Sequence, residues 1–148
     1  MSKKCVGKII ELFISTKESS TRVNRSTIEL DLLGIIGDKF YDKDNSRSIL
    51  ITSSDSYNLT KDYNIDMPYG YLGENLLMDY NPYSLSMGSR LQIGTAMFEI
   101  SQNCTICNHL SVLDKRIPKL LKNDRGIFAK VVTPGKVSKG NDVYLLQE

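Results

Sequence analysis

Two of the three cysteines in this chain and its only histidine lie close together, between residues 98 and 110. Cys104 and Cys107 form a Cys-x-x-Cys pair, and His109 follows two positions later. Residues 96–101 alternate between apolar and other side chains with the period of two that is typical of a β-strand, and the alternation ends at Asn103. A strand that leads thiols into a loop is a common way to present reactive side chains. Reduced cysteines are also often buried as small apolar residues, so this segment alone leaves both roles open.

The cysteine pair allows three kinds of chemistry. A thioredoxin-like redox pair would need a helix N-terminus in a βαβ context, which this sequence does not show. A structural zinc site could use Cys104, Cys107 and His109, with Cys5 as a distant fourth ligand, although such sites usually bring two paired clusters. A single thiolate could instead bind a thiophilic metal or carry sulfur as a persulfide. The residues alone do not decide between the last two interpretations.

Length and charge restrict the class of protein. The chain has 148 residues, so we expect one domain spanning residues 1–148. Its 19 basic and 17 acidic residues leave a net charge of +2, which argues against a nucleic-acid partner. Eight basic residues against the single acid Asp124 lie between Lys115 and Lys139. Such a basic zone indicates either an anionic ligand such as a phosphate or a solvated face.

The cysteine count and the N-terminal residues favour the cytoplasm. An odd number of cysteines does not resemble a disulfide framework, so we expect a reducing compartment. Lys8 and Glu11 interrupt the apolar run that a signal peptide needs, and no apolar stretch reaches membrane-spanning length. We therefore expect no membrane partner. Cys5 should lie in a frayed N-terminal segment and is the least suited of the three thiols to chemistry.

Hydrophobic patterning predicts many short strands and few helices. The polar residues 15–26 should form a surface connection, and the N-cap candidates at residues 52–56 predict a helix over 55–63. Strands are expected at residues 8–14, 27–33, 47–51, 126–132 and 142–146, a hairpin around Gly94-Thr95 between residues 89 and 100, and a short helix from Pro118 to Lys122. The predicted fold is mainly β (α+β), a single β-barrel-like domain with a few short helices.

Taken together, the glycine-rich turns and the segments between them resemble the MOSC domain family, named after the C-terminal domain of molybdenum cofactor sulfurase. The matching segments follow the family order over nearly the whole chain. They are Gly34-Ile-Ile-Gly-Asp38, Arg47 at a strand start, Gly70-Tyr-Leu-Gly-Glu-Asn75, Leu85-x-x-Gly88 with Leu91-x-Ile-Gly94, the cysteine segment, Arg125-Gly-Ile-Phe-Ala-Lys-Val131 and Gly135-x-Val-x-x-Gly-Asn-Asp-Val143. The resemblance implies a barrel-like fold whose pocket holds the molybdenum cofactor, a pterin (molybdopterin) carrying a phosphate.

The resemblance also implies which residues form the site. The family cysteine typically stands in a Pro-Cys-x-Lys-Leu context, and Cys107-Asn-His-Leu110 matches its spacing, with His109 in place of lysine and Ile106 in place of proline. Cys107 is therefore the expected metal ligand or sulfur-carrying atom, and Cys104 is the alternative. Lys39 stands where many members carry histidine. The expected cofactor-binding residues are Asp38, Arg47, Glu74, Asn75, His109 and Arg125.

Three functions follow, in order of preference. The first is a small molybdenum-dependent oxidoreductase that reduces N-hydroxylated compounds and receives electrons from a separate reductase. The second is a sulfur carrier for cofactor maturation, bearing a cysteine persulfide supplied by a donor protein. The third is a structural zinc protein using Cys104, Cys107 and His109. For Glu74 and Asn75, capping of backbone groups is an alternative to a role in the pocket.

Overall fold

The structure is a computed structural model that describes residues 2–18, 22–104 and 110–147. Its strands are β1 (Ser2–Ile14), β2 (Val23–Arg25), β3 (Thr27–Asp31), β4 (Gly34–Ile35), β5 (Ile49–Ser53), β6 (Leu76–Met78), β7 (Arg90–Ile93), β8 (Ala96–Asn103), β9 (Ile127–Thr133), β10 (Gly135–Ser138) and β11 (Asp142–Gln147). Its helices are α1 (Ser54–Asp62), α2 (Leu110–Leu113) and α3 (Ile117–Leu120), with a short 3-10 helix at Asn45–Arg47.

Seven strands close into a barrel. The order around the ring is β11, β7, β8, β9, β5, β6 and β1, and β1 pairs again with β11. Every pair in the ring is antiparallel except β5–β6, which is parallel. Parallel neighbours require a crossover connection, and α1 lies within the one that joins these two strands. The predicted mainly-β, barrel-like fold is confirmed.

The apolar side chains form two clusters, one inside the barrel and one between the barrel and the helices. In β6, Leu76 and Met78 point into the barrel core, whereas Leu77 packs on the opposite side with the helices. That second cluster also contains Tyr57 of α1, Leu110 of α2 and residues of α3. Successive side chains on a strand point to opposite faces, so one short strand serves both clusters.

Strand β2 pairs with β1 at the edge of the barrel sheet, and the other three strands form a small sheet in the order β10, β3 and β4. The turn between β7 and β8 joins this sheet to the barrel, because Thr95 N donates to Lys136 O at 3.0 Å and Lys136 N donates to Thr95 Oγ1 at 2.8 Å. Gly94 in that turn has a φ of +59°, and an added Cβ would lie 2.2 Å from Lys136 O. Only glycine fits this close approach.

Most predicted elements occur close to their expected positions. Helix α1 begins after Ser53, whose Oγ accepts a hydrogen bond from Asp55 N at 3.1 Å, and the predicted hairpin is β7–β8. Strand β8 ends at Asn103, where the alternation stops. Three expectations were wrong: Arg47 ends the 3-10 helix and does not begin β5, Cys5 is not in a frayed segment, and β2 lies within residues 15–26, which were expected to be a connection. Strand β1 begins at Ser2, and Cys5 pairs with Tyr144 of β11 where the barrel closes.

Candidate functional site

One level of the barrel carries the candidate site. Pairing across β8, β9, β5, β6 and β1 aligns one residue from each strand, namely Asn103, Ile127, Ile51, Leu76 and Leu12. Cys104, Arg125 and Asn75 lie one or two positions beyond this level on their own segments. The barrel therefore brings together residues that are far apart in the sequence.

A cavity of about 470 Å³ opens at this end of the barrel. That volume lies within the range of sites for cofactors and drug-sized ligands. Its lining residues are Arg22, Phe40, Lys43, Asp44, Arg47, Ser48, Leu50, Leu72, Gly73, Asn75, Cys104, Arg125 and Phe128. We refer to it as the first cavity.

The first cavity is cationic. Four basic residues line it, Arg22, Lys43, Arg47 and Arg125, and the acid among its lining residues is Asp44. The Asp44 carboxylate caps the 3-10 helix, where Oδ1 accepts from Ser46 N at 3.1 Å and from Ser46 Oγ at 2.9 Å. The excess of positive charge favours an anionic ligand.

Two of these arginines have buried N–H groups for which the described part of the chain offers no acceptor. Arg125 is only 6% exposed, and its Nε and Nη1 have no hydrogen-bond acceptor among the described residues. Arg22 Nη1 is likewise buried without an acceptor in the described part of the chain. Unpaired buried donors, especially charged ones, are costly, so native structures rarely leave them without a partner unless a ligand or water supplies one. These donors fit the oxygens of a bound anion.

Neighbouring groups shift the pKa of Arg22 in both directions. Burial lowers the pKa of Arg22 below its ordinary value, Asp38 and Glu74 act in the opposite direction, and Arg125 lowers the pKa further. Arg22 and Arg125 line the same cavity, and their like charges repel. Two cations held together are stabilised when an anion binds between them.

Aromatic rings form part of the cavity wall. The Arg47 guanidinium lies 5.0 Å from the centroid of the Phe128 ring. Phe40 has cations on its ring as well, with Arg22 at 5.9 Å and Lys39 at 5.3 Å. Cation–π contacts of this kind hold flat groups in place, and a planar ring ligand could stack against the same surfaces.

Asn75 and Asp38, both expected in the cofactor site, make backbone hydrogen bonds. Asn75 is 4% exposed and lines the first cavity, yet its Oδ1 accepts from Leu50 N at 3.0 Å and its Nδ2 donates to Phe13 O at 3.2 Å. Asp38 Oδ1 accepts from Ser15 N at 2.7 Å, and Oδ2 accepts from Phe40 N at 3.2 Å. Asp38 is not a lining residue, so its effect on the cavity is through the charge of Arg22.

Glu74 stands in the chain between Gly73 and Asn75, which line the cavity, and it is completely buried. Its Oε2 accepts hydrogen bonds from Thr52 Oγ1 at 2.6 Å and from the Tyr57 hydroxyl, while Oε1 has no donor among the described residues. Burial and the Glu74 charge raise the pKa of Tyr57 well above its usual range, so Tyr57 remains a donor. The Glu74 charge also raises the pKa of Arg22, so Glu74 acts as a counter-charge for that arginine.

Cys104 is the thiol that the described residues bring to the cavity wall. It is partly exposed, and its backbone N donates to Gly126 O at 3.0 Å, which places it beside Arg125. Cys107 and His109 lie outside the described residues. Within the described ranges, no three His, Cys, Asp or Glu side chains cluster as a metal site would require.

The basic zone predicted between Lys115 and Lys139 does not form one ligand-binding face. Lys130, Lys136 and Lys139 make ion pairs with Glu99, Glu29 and Glu11, and Arg116 pairs with Asp114. Arg125 is the residue of this zone that lines the first cavity. The zone therefore contributes to the cavity through one buried arginine.

Arg22, Phe40, Lys43 and Phe128 were not predicted as site residues. Arg22 lies in the polar stretch that was expected to be a surface connection, and nothing in the sequence separates it from the exposed Arg25 nearby. Phe128 was expected only as a strand residue. The pairing of Arg47 with Phe128 depends on the barrel and leaves no local signal.

No helix in the parts of the chain that the structure describes has the length and apolar character needed to span a bilayer.

No curated protein matches the chain by sequence. Solved structures share its fold. The YuaD protein of Bacillus subtilis superposes with a TM-score of 0.84 at 20% identity, covering 97% of both chains. YiiM of Geobacillus stearothermophilus superposes at 0.69 with 15% identity, covering 99% of this chain and 76% of its own. YiiM of Escherichia coli superposes at 0.68 with 20% identity, covering 95% of this chain and 70% of its own.

The family model of the MOSC domain matches residues 38–144, which is more than two thirds of the chain. The matched range includes β5 to β10 and the first half of β11, and it contains the cysteine segment and Arg125. It begins after Arg22, so that arginine lies outside the match. This chain belongs to the MOSC domain family.

Proposed function

We propose that this protein binds the molybdenum cofactor in the first cavity and uses a cysteine thiolate as a metal ligand. The observation that carries the proposal is a pair of arginines, Arg22 and Arg125, with buried N–H groups that have no acceptor among the described residues and that lie at a cavity that Cys104 also lines. A phosphate supplies the acceptor oxygens that these guanidinium groups lack.

The other residues of the cavity fit the rest of such a ligand. Phe40 and Phe128, with Arg47 over the latter, offer flat surfaces to a pterin ring. The Asn75 amide has two N–H bonds, and Phe13 O accepts one of them at 3.2 Å. Its second N–H is available to a ring carbonyl or nitrogen at the cavity wall.

Cys107 is the proposed ligand of the metal, because its spacing to Leu110 matches that of the family cysteine. Cys104 is three residues earlier and lies at the cavity wall, so it is the alternative ligand. Thiolates are soft ligands that suit thiophilic metals. A reducing cytoplasm would keep both thiols available.

The proposed reaction is the reduction of N-hydroxylated compounds. The bound cofactor would supply two-electron redox chemistry at the metal. Removal of the hydroxyl oxygen as water takes two electrons and two protons, and a separate reductase is the proposed electron donor. The contribution of this chain is to hold the phosphate with Arg22 and Arg125 and to shield the ring between aromatic walls.

The matched variants Cys107→Ser and Cys104→Ser test the thiolate ligand. Both proteins are produced anaerobically in a host that makes the molybdenum cofactor, and molybdenum and zinc per chain are measured together. We expect Cys107→Ser to lose the molybdenum that the wild-type protein carries, while Cys104→Ser retains it. Circular dichroism checks that both variants are folded.

Other results would redirect the proposal in defined ways. Loss of molybdenum in Cys104→Ser alone would assign the ligand to Cys104. Zinc in place of molybdenum would support a structural site formed by Cys104, Cys107 and His109. Neither metal, with a mass increase of one sulfur that reductant removes, would identify a persulfide carrier.

A further inference from the structure

A second cavity of about 500 Å³ lies against the same two residues that close one side of the first. Cys104 and Arg125 line both cavities, so they form the wall between them. The other residues that line the second cavity are Tyr83, Asn103, Lys122, Asn123 and Gly126.

The lining of the second cavity is polar and positively charged. Lys122 and Arg125 are cations, Asn103 and Asn123 provide amides, and no carboxylate is among the lining residues. Lys122 has no ion pair within the described part of the chain, unlike the other lysines that follow it, Lys130, Lys136 and Lys139. Arg125 supplies buried Nε and Nη1 donors that lack an acceptor in the described residues.

Tyr83 gives the second cavity a neutral, fixed wall. Its hydroxyl accepts a hydrogen bond from Ser53 N at 2.8 Å and lies 2.7 Å from Ser56 Oγ. Burial raises the pKa of Tyr83 well above its ordinary value, so the phenol remains uncharged. The charge of this cavity is therefore set by the lysine and the arginine.

We propose that the second cavity is a binding site for a small anion of carboxylate or oxyanion size, which lies between Lys122 and Arg125 and next to the Cys104 thiol. This site shares Cys104 and Arg125 with the first cavity, so the test below uses protein without bound cofactor, in which no cofactor phosphate engages the Arg125 donors. A thiol beside an anion site is selective for anionic reactants, because the cations raise their local concentration.

Alkylation of Cys104 by two reagents of nearly equal size tests the proposal without any cofactor. Iodoacetate is an anion and iodoacetamide is neutral, and in both cases the thiolate displaces iodide. The full-length chain carrying Cys5→Ser and Cys107→Ser leaves Cys104 as its one thiol. Intact mass gives the rate constant for each reagent, and their ratio reports the preference for negative charge.

We expect Lys122→Gln to lower the ratio of the iodoacetate rate to the iodoacetamide rate by roughly three- to tenfold. Lys119→Gln is the matched control, since Lys119 is also exposed and lies three residues earlier but does not line the cavity. Sulfate that occupies the site should lower the Cys104 alkylation rate of both reagents. The effect should saturate as sulfate is added, with the ionic strength held constant by KCl. An equal ratio in Lys122→Gln and Lys119→Gln, or no protection by sulfate beyond that of KCl, would overturn the proposal.

Discussion

At the scale of single residues, the site depends on buried charges that are only partly compensated. Glu74 is fully buried and receives hydrogen bonds from Thr52 and Tyr57 on one carboxylate oxygen. Its charge, together with that of Asp38, supports the guanidinium of Arg22. These carboxylates oppose the effect of burial on the pKa of Arg22. The arginine donors that have no acceptor among the described residues are left for a ligand.

Tyr57→Phe should destabilise the fold, because the hydroxyl donates to buried Glu74 and accepts from Gly70 N at 3.2 Å. We expect the free energy of unfolding to fall by about 2–3 kcal/mol, measured by urea denaturation. Tyr63→Phe is the control, since Tyr63 is 50% exposed, and it should change stability by less than about 0.5 kcal/mol. Equal stability of the two variants would contradict this role of Tyr57.

The same tyrosine predicts a dependence of stability on alkaline pH. The pKa of Tyr57 is raised in the folded state, so its contribution is fully present below the ordinary tyrosine value of 10.0 and is lost as pH rises above it. Above pH 10 the stability of the wild-type protein should fall more steeply than that of Tyr57→Phe, by up to about 1.4 kcal/mol per pH unit. Parallel curves for the two proteins would show that Tyr57 titrates normally.

At the scale of elements, the segment before β6 ties three strands together. Asn75 N donates to Leu50 O at 2.8 Å and Phe13 N donates to Asn75 O at 2.9 Å, while the side chain bonds the backbone of the same two strands, β5 and β1. Asn75 thereby acts as a connector where the parallel pair β5–β6 meets β1. Its position at the cavity wall follows from this role.

Asn75→Ala leaves two buried backbone groups, Leu50 N and Phe13 O, without their side-chain partners. We expect a loss of about 2–4 kcal/mol in the free energy of unfolding, measured by chemical denaturation. Gln102→Ala, at the exposed end of β8, should change the free energy of unfolding by less than about 0.5 kcal/mol. A loss for Asn75→Ala as small as that of the control would mean that water replaces the amide.

The sequence allowed the elements to be predicted better than the site. Local signals, such as the Ser53 cap and the alternation that ends at Asn103, are set by neighbouring residues and were read correctly. Arg22 could not be selected, because its place at the cavity beside Arg47 and Arg125 depends on how distant parts of the chain pack together. Asn75 was identified as a special residue, but its backbone partners on β1 and β5 follow only from the closed barrel.

At the scale of the whole molecule, closure of the barrel assembles the site. The ring aligns Asn103, Ile127, Ile51 and Leu76 at one level, and the residues just beyond them bring Cys104, Arg125 and Asn75 to the same end. Arg22 enters from the connection between β1 and β2. Two cavities that share Cys104 and Arg125 then lie side by side, which allows one ligand to be held beside another.

The central claim, that the first cavity is the cofactor site, is tested most directly by comparing Arg22→Gln with Arg25→Gln. Arg25 is an exposed arginine of β2 three residues further along, and it does not line the cavity. Both variants and the wild-type protein are purified from a host that makes the molybdenum cofactor, and molybdenum and pterin per chain are measured. We predict that Arg22→Gln remains folded and loses at least about tenfold in cofactor content, whereas Arg25→Gln equals the wild-type protein. Cofactor content in folded Arg22→Gln equal to that of Arg25→Gln would contradict the claim.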